Sequence, residues 1–362
     1  MNDISAKIAI DLDGGDHGPK VIAKGITLAI KEGFVSQQEL VVLGSSASIN
    51  WFKNHMPDGI SLQECGEAIK MGEDIKTIRK KRRSSIAQGV YGVKTDKFQA
   101  LVSAGETKAM VAWGKMLLAP RINDFDLRPA IGVKMPHPDG LWLLVDAGAN
   151  IEAKSIITLW HNAHMGAIYA REVMGIANPR VGLVNIGEEE SKGDQTLRDA
   201  HAILGRSNLN FVGNVEPREL FLGKVDVAVC DGKVGNLILK SGEGVVEMLK
   251  AIAKREFKRL LSRPEFPQTS RQLAWCFAWP FIWLLVILAT PLSLIIFQDA
   301  KKKISHDEIG GAILLGVPGM IICHGRSNAR AIANALRVAK AEIGHNVHQI
   351  IFDQLRQIEK SP

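Results

Sequence analysis

The sequence predicts an α/β protein built on a doubly wound, mostly parallel sheet, and two observations carry that expectation. Short, almost wholly apolar runs alternate with helix-like segments, as strands buried on both faces do. Each such run leads into a loop of glycine and short polar residues, the pattern of strands feeding helices in an open α/β sheet. The 362 residues, 46% apolar and 23% charged, suffice for one large domain or two and exclude a disordered or fibrous chain. No internal repeat or low-complexity linker divides them, so the expectation is one α/β domain over residues 1–362 with an apolar insertion at 262–303.

The elements follow in order. Strands are expected at KIAID (7–11), ELVVL (39–43), ALVS (100–103), LWLLVD (141–146), RVGLVN (180–185), VDVAVCD (225–231) and GMIICH (319–324). Between them, Pro19 starts a helix that runs to Gly33, Ser84 and Ser85 read as a helix start, and further helices span 106–118 and 155–174. Behind the strands come the loops DLDGGD (11–16), SAGETK (103–108), DAGAN (146–150), NIGEEESKGD (185–194), DGKVGN (231–236) and HGRSN (324–328). In a parallel sheet these six loops converge on one cleft, where glycine lets the backbone approach a ligand and helix N-termini favour an anion. Taken singly, each loop is better explained as a turn, and it is the six together that favour a binding cleft. Neither a Walker A sequence nor a G-x-G-x-x-G after a strand is present, and neither a G-x-S-x-G elbow nor H-E-x-x-H.

The net charge of +7 is concentrated. Ten Lys and Arg between residues 250 and 303 face only Glu256, Glu265 and Asp299, which accounts for the whole excess. These cations bracket the charge-free run 273–297, a placement suited to anionic lipid headgroups rather than to nucleic acid. Cys65, Cys230, Cys276 and Cys323 lie far apart, suggesting neither a zinc site nor a disulfide framework, and a reducing cytoplasm fits them. Residues after Met1 lack a signal peptide's apolar core, so export is not expected.

On its strands and loops the chain resembles the bacterial phosphate acyltransferases of phospholipid synthesis, the PlsX family. The resemblance runs through KIAIDLDGGD, IRKKRRSS, LVSAGETKAM, LLVDAGAN, NPRVGLVNIGEEESKGD, FVGNVEPRE, VDVAVCDGKVGNLILKSGEG and GGAILLGVPGMIICHGRSNARAI, covering most of residues 7–340. It implies a Rossmann-like α/β/α sandwich related to isocitrate and isopropylmalate dehydrogenases, a homodimer, and no cofactor or metal. The implied reaction moves a fatty acyl group from acyl-[acyl carrier protein] to inorganic phosphate. The acyl phosphate would then pass to a membrane glycerol-3-phosphate acyltransferase making phosphatidic acid. The chain departs from the family's pattern at Asp13, where methionine is usual, and at Glu106 and Lys108, where asparagine and glycine are usual. The apolar run is a third departure. A carboxylate beside a phosphate pocket repels the substrate, unless Lys108 neutralises Glu106 by pairing.

In such a reaction a phosphate oxygen attacks a thioester carbonyl and a thiolate leaves, so the site must chiefly position two anions and stabilise an oxyanion. Lys192 is the candidate cation for the phosphate or the oxyanion, the alternative being a solvated loop lysine. Asn185, Asn236 and Asn328 are candidate amide donors, and Asp231 is placed to orient Lys192 or His324; turn stabilisation is the alternative for all four. His324 is a candidate to polarise the carbonyl or shuttle a proton. Gly14, Gly15, Asp16, Ser103, Gly105, Asn150 and Gly187 complete the expected phosphate- and substrate-binding set. His161 and His164 read as surface or dimer-contact residues. The basic run Arg79 to Arg83, or the face Lys254 to Arg259, suits an acidic carrier protein, or is simply solvated.

The run at 273–297 is about 37 Å long as a helix, enough to span a bilayer. A single crossing would separate the 324–328 loop from the other loops, so the expectation is a hairpin dipping into one leaflet. Pro280 and Pro291 break it, Trp275, Trp279 and Trp283 sit at helical spacing, and Lys301 to Lys303 reach the headgroups. A buried dimer interface is the alternative. Two other functions remain open from sequence: a catalytically weakened membrane scaffold, motivated by Asp13 and Glu106, and a phosphotransacetylase-like enzyme using acyl coenzyme A.

Overall fold

The computed structural model describes residues 7–56, 58–122, 125–151, 155–261 and 310–358. In chain order the strands are β1 (Ile8–Asp11), β2 (Leu40–Ser45), β3 (Ser61–Cys65), β4 (Ala100–Ser103), β5 (Arg121–Ile122), β6 (Phe125–Asp126), β7 (Ala130–His137), β8 (Gly140–Val145), β9 (Val181–Val184), β10 (Phe211–Val215), β11 (Val227–Val229), β12 (Ala312–Leu315) and β13 (Met320–Ile322). The helices are α1 (Pro19–Lys31), α2 (Ser46–His55), α3 (Ile75–Lys80), α4 (Ser85–Lys94), α5 (Thr107–Leu117), α6 (Ile156–Glu172), α7 (Gln195–Leu204), α8 (Pro217–Leu220), α9 (Gly232–Leu261), α10 (Ala329–His345) and α11 (Val347–Ile358). All seven expected strands and the expected helix starts are present. Ser84, Ser155 and Asn328 each cap their helix by accepting a backbone N–H.

Eleven strands form one sheet in the order β10-β9-β11-β8-β7-β12-β13-β4-β1-β2-β3, and β5 pairs with β6 apart from it. Seven of the ten pairings in the large sheet are parallel. The other three, β8–β7, β7–β12 and β12–β13, are antiparallel and adjacent to one another. Three successive reversals invert the strand direction, so β8 to β11 run opposite to β1 to β4 and β13. The expectation that all six strands run the same way toward one edge is thereby corrected. Loops 11–16, 103–108 and 324–328 lie at one end of the strands, and loops 146–150, 185–194 and 231–236 at the other.

Both faces of the sheet are covered at its centre, which is why strands such as β1 (IAID), β9 (VGLV) and β11 (VAV) are buried at every position. Ile8 and Ile10 of β1, Leu40 and Val42 of β2, and Ala100 and Val102 of β4 join one core with Ile22 and Ile26 of α1 and Ile332 and Leu336 of α10. The alternating residues Ala9, Val41, Leu43 and Leu101 are also buried. Gly89 of α4 meets Leu101 so closely that a Cβ there would come within 2.5 Å of its side chain. In the other block α6 packs through Gly166 against Val227 and Val145. This helix corrects the reading of His161 and His164 as surface residues. They are 3% and 1% exposed, and burial pushes the His164 imidazole down to about 4.

The chain divides into two compact units, Met1–Leu237 with His306–Pro362 and, separately, Ile238–Ser305. Among the described residues no helix is long and apolar enough to cross a membrane. The expected hairpin at 262–303, with Trp275, Trp279 and Trp283, lies outside the described residues.

Candidate active site

At the end where β8, β9 and β11 finish, Asp146 organises the first loop. Its fully buried carboxylate accepts hydrogen bonds from the backbone N–H groups of Ile131 (2.9 Å), Gly148 (3.0 Å), Ala149 (2.8 Å) and Asn150 (2.8 Å) and from the Asn150 amide (2.9 Å). The same Asn150 amide donates to the Pro129 carbonyl at 2.8 Å, so Asn150 braces the loop against the start of β7. The 231–236 loop fits closely beside it. A Cβ on Gly235 would lie 1.9 Å from the Asp146 carbonyl oxygen, so the residue must be glycine for α9 to start here. Asn236, in the first turn of α9, sits against Gly148.

The 185–194 loop doubles back on itself. Buried Asn185 donates from its amide to the Lys192 carbonyl at 3.0 Å and accepts the Ile186 N–H at 2.8 Å. Gly193, at φ +83°, leaves no room for a side chain against the Asn185 amide. This hairpin-like return holds the Lys192 side chain 45% exposed, with its ammonium 4.0 Å from Glu189. Asp231 does not orient Lys192: its carboxylate caps α9, accepting the Lys233 and Val234 N–H groups at 2.9 Å.

That opposite end is rich in carboxylates. Asp11 is buried and accepts the Ser103 hydroxyl at 2.6 Å; burial pushes it up to about 6 against the pull of hydrogen bonds from Ser103 and Ser85. Ser103 in turn accepts the Gly105 N–H at 2.9 Å. Gly14 packs on Gly105, and Gly15, at φ +89°, approaches Gly325, whose carbonyl accepts the Asp16 N–H at 2.8 Å. His324 is exposed and accepts the Arg326 N–H at 3.1 Å on Nδ1, and Asn328 caps α10. Asp13 holds Ser45 through its backbone N–H at 2.7 Å and its hydroxyl at 2.9 Å. Glu106, 7% exposed, accepts the backbone N–H groups of Gly72 and Lys108. The expected ion pair between Glu106 and Lys108 is therefore corrected to a helix cap made by the Lys108 backbone.

Sequence reasoning passed over Asp11 and Asp146, whose signal is a carboxylate closing an apolar run just before glycine. It also passed over Lys115 and Arg128, which border a cavity of about 270 Å³ beside the 146–150 loop. The cysteines among the described residues are not nucleophiles. Burial pushes Cys65 up to about 11, Cys323 up to about 12 and Cys230 well up. Of the basic run 79–83, Lys81 is bound internally to Glu73 at 2.6 Å, and Arg79, Lys80, Arg82 and Arg83 remain exposed.

Residues 6–265 match the family model described as fatty acid synthesis protein. A phosphate acyltransferase of Heliobacterium modesticaldum is 42% identical over 94% of this chain and 95% of its own length. One from Pelotomaculum thermopropionicum is 37% identical over 98% of this chain and 96% of its own. Among solved structures, a phosphotransacetylase from Streptococcus pyogenes aligns with a TM-score of 0.54 at 17% identity, covering 93% of this chain and 94% of that one. A branched-chain phosphotransacylase from Enterococcus faecalis aligns with a TM-score of 0.52 at 14% identity over 93% and 99%. Likenesses at such low identity show the fold alone, a mixed α/β fold around a large, mostly parallel sheet.

Proposed function

The chain belongs to the PlsX family of phosphate acyltransferases, and from that premise we propose that its acyl donor is an acyl-[acyl carrier protein] and that its chemistry is carried at the Lys192 end of the sheet. The enzyme is a phosphate acyltransferase of fatty acid and phospholipid synthesis, joining an acyl group to phosphate. The observation that carries the proposed location is the Asn185–Lys192 return, which presents a half-exposed ammonium beside two glycine-containing loops.

In this reading a phosphate oxygen attacks the thioester carbonyl, the carbon–sulfur bond breaks, and the carrier's thiolate leaves with the electron pair. Lys192 neutralises the phosphate or the developing oxyanion, and the Asn236 amide donates to the same centre. Asn185, Asp231, Asn150 and Gly187 hold the loops that position them. Gly14, Gly15, Asp16, Ser103, Gly105, His324 and Asn328 form a second loop set. Its proposed part is to fix the starts of α5 and α10 instead of touching the reacting atoms.

The kinship with isocitrate and isopropylmalate dehydrogenases, a homodimeric state, a cytoplasmic location at the membrane surface, and delivery of acyl phosphate to a membrane glycerol-3-phosphate acyltransferase belong to the same proposal. So does an apolar insertion within a single α/β domain. Exposed Arg79, Lys80, Arg82 and Arg83 suit an acidic carrier.

Lys192→Ala tests the site. Loss of one preorganised electrostatic donor lowers turnover by about two to three orders of magnitude, and a half-exposed side chain leaves with little cost in stability. Acyl phosphate formation is followed with acyl carrier protein and coenzyme A thioesters in parallel. Turnover within a few-fold of the parent removes Lys192 from the site. Equal use of the coenzyme A thioester overturns the carrier-protein assignment.

A further inference from the structure

The cavity of about 270 Å³ is lined by Lys115 in the last turn of α5, Asp126 and Arg128 ahead of β7, and Ser155, Thr158 and His161 at the start of α6. It adjoins the proposed active site through the backbone: Pro129, next to Arg128, accepts the Asn150 amide, and Ile131 donates to Asp146. Loop 146–150 and Arg128 are thus held in one framework.

Among the described residues its wall carries two cations, Lys115 and Arg128, and one carboxylate, Asp126. Among the described residues neither the half-buried Arg128 guanidinium nor the exposed Lys115 ammonium has a hydrogen-bond or ion-pair partner. Asp126 is mostly exposed and has its own cation, Arg121, at 3.5 Å. The Ser155 and Thr158 hydroxyls are 2.7 Å apart and satisfy each other while capping α6. His161 is buried on the same wall, edge-on to Trp160. A half-buried arginine with no acceptor among the described residues is matched by an anion that takes its planar fork two-pronged, as a phosphoryl group does. The volume suits a small group, since pockets for drug-sized ligands begin at about 300 Å³.

We propose that this cavity is a phosphoryl-binding site in which Arg128 and Lys115 clamp a phosphoryl group of one substrate. The proposal rests on the phosphate acyltransferase reading above and adds the place where a phosphoryl group is held. Two sources share that chemistry, inorganic phosphate and the phosphodiester of a pantetheine arm carrying the acyl thioester.

The test uses the full-length enzyme and two variants, Arg128→Gln and Lys115→Gln. Steady-state KM is measured separately for inorganic phosphate and for the acyl-carrier thioester, and inorganic phosphate is titrated calorimetrically into each protein without the acyl donor. A ten-fold or greater rise in KM for one substrate, with kcat within three-fold of the parent, supports the site and identifies the source. When that substrate is phosphate, calorimetric affinity falls in step. Unchanged KM for both substrates in correctly folded variants overturns the site, and so does a fall in kcat alone. Lys115 is exposed, so its variant decides the question if Arg128→Gln does not fold. Lys192→Ala separates the two claims. Loss of turnover in that variant with intact phosphate binding leaves the cavity assignment standing independently of the catalytic one.

Discussion

Asp11 is a carboxyl group kept where its charge is costly. Burial raises it to about 6 although Ser103, Ser85 and the Asp13 backbone all favour the charged form. A carboxyl raised in the folded state binds its proton more tightly there than in the unfolded chain. Its stabilising contribution is therefore complete below about pH 4 and is lost as pH rises through about 6, an effect of about 3 kcal/mol for a shift of this size. Asp11→Asn removes the charge while keeping one acceptor, and the serine hydroxyls can turn to accept from the new amide. Urea unfolding of the parent should lose stability between pH 4 and 7, and the variant should show a flatter profile and a higher midpoint at pH 7. An unchanged slope would mean that Asp11 is not the titrating group. Lys192 is the opposite case: its charge is half in water, with the exposed Glu189 carboxylate 4.0 Å away.

At the scale of elements, the start of α9 is fixed by absence of a side chain. Gly235→Ala places a methyl group 1.9 Å from the Asp146 carbonyl oxygen, and that atom is backbone in a loop pinned by five hydrogen bonds to the Asp146 carboxylate. Relief requires moving the helix start, and with it Asn236, so turnover should fall at least ten-fold and stability by about 1–3 kcal/mol. Activity and thermal unfolding measured together check this; a fully active variant would place Asn236 outside the reacting centre. The same elements show what the sequence made legible. Parallel strands covered on both faces, such as IAID and VGLV, are continuous apolar runs and are readable one by one. β7 is not, because AIGVKMPH carries Lys134, Pro136 and His137, and β3 is half exposed at the sheet edge. Missing β7 and β12 hid the three reversals, since pairing of β12 with a strand about 180 residues earlier leaves no local trace. Six loops were recognisable as loops, but their division between two ends was not. His161 and His164 misled for a related reason. α6 is buried almost all round, so spacing along it does not mark a solvent face.

At the scale of the whole molecule, the charge distribution sets a physical problem. The entire net charge of +7 lies around a 25-residue run without a charged side chain. Acyl phosphate is amphipathic and prone to hydrolysis, so an enzyme that releases it at a bilayer surface shortens its exposure to water. Burial of each large apolar side chain contributes about 1.5 to 3 kcal/mol, whereas attraction of exposed Lys and Arg to anionic headgroups is weaker and decays within a Debye length of about 8 Å at physiological salt. If the run is what holds the enzyme to the membrane, vesicle binding persists at high salt, and a purely electrostatic attachment does not. Replacing Trp279, Phe281, Ile282 and Trp283 with serine should then abolish co-sedimentation with vesicles while turnover on soluble substrate stays within a few-fold of the parent. The dimer assay on the same variant supplies the contrary outcome. A dimer that dissociates while vesicle binding is unchanged makes the run an interface between copies, and membrane attachment must then be sought elsewhere on the chain.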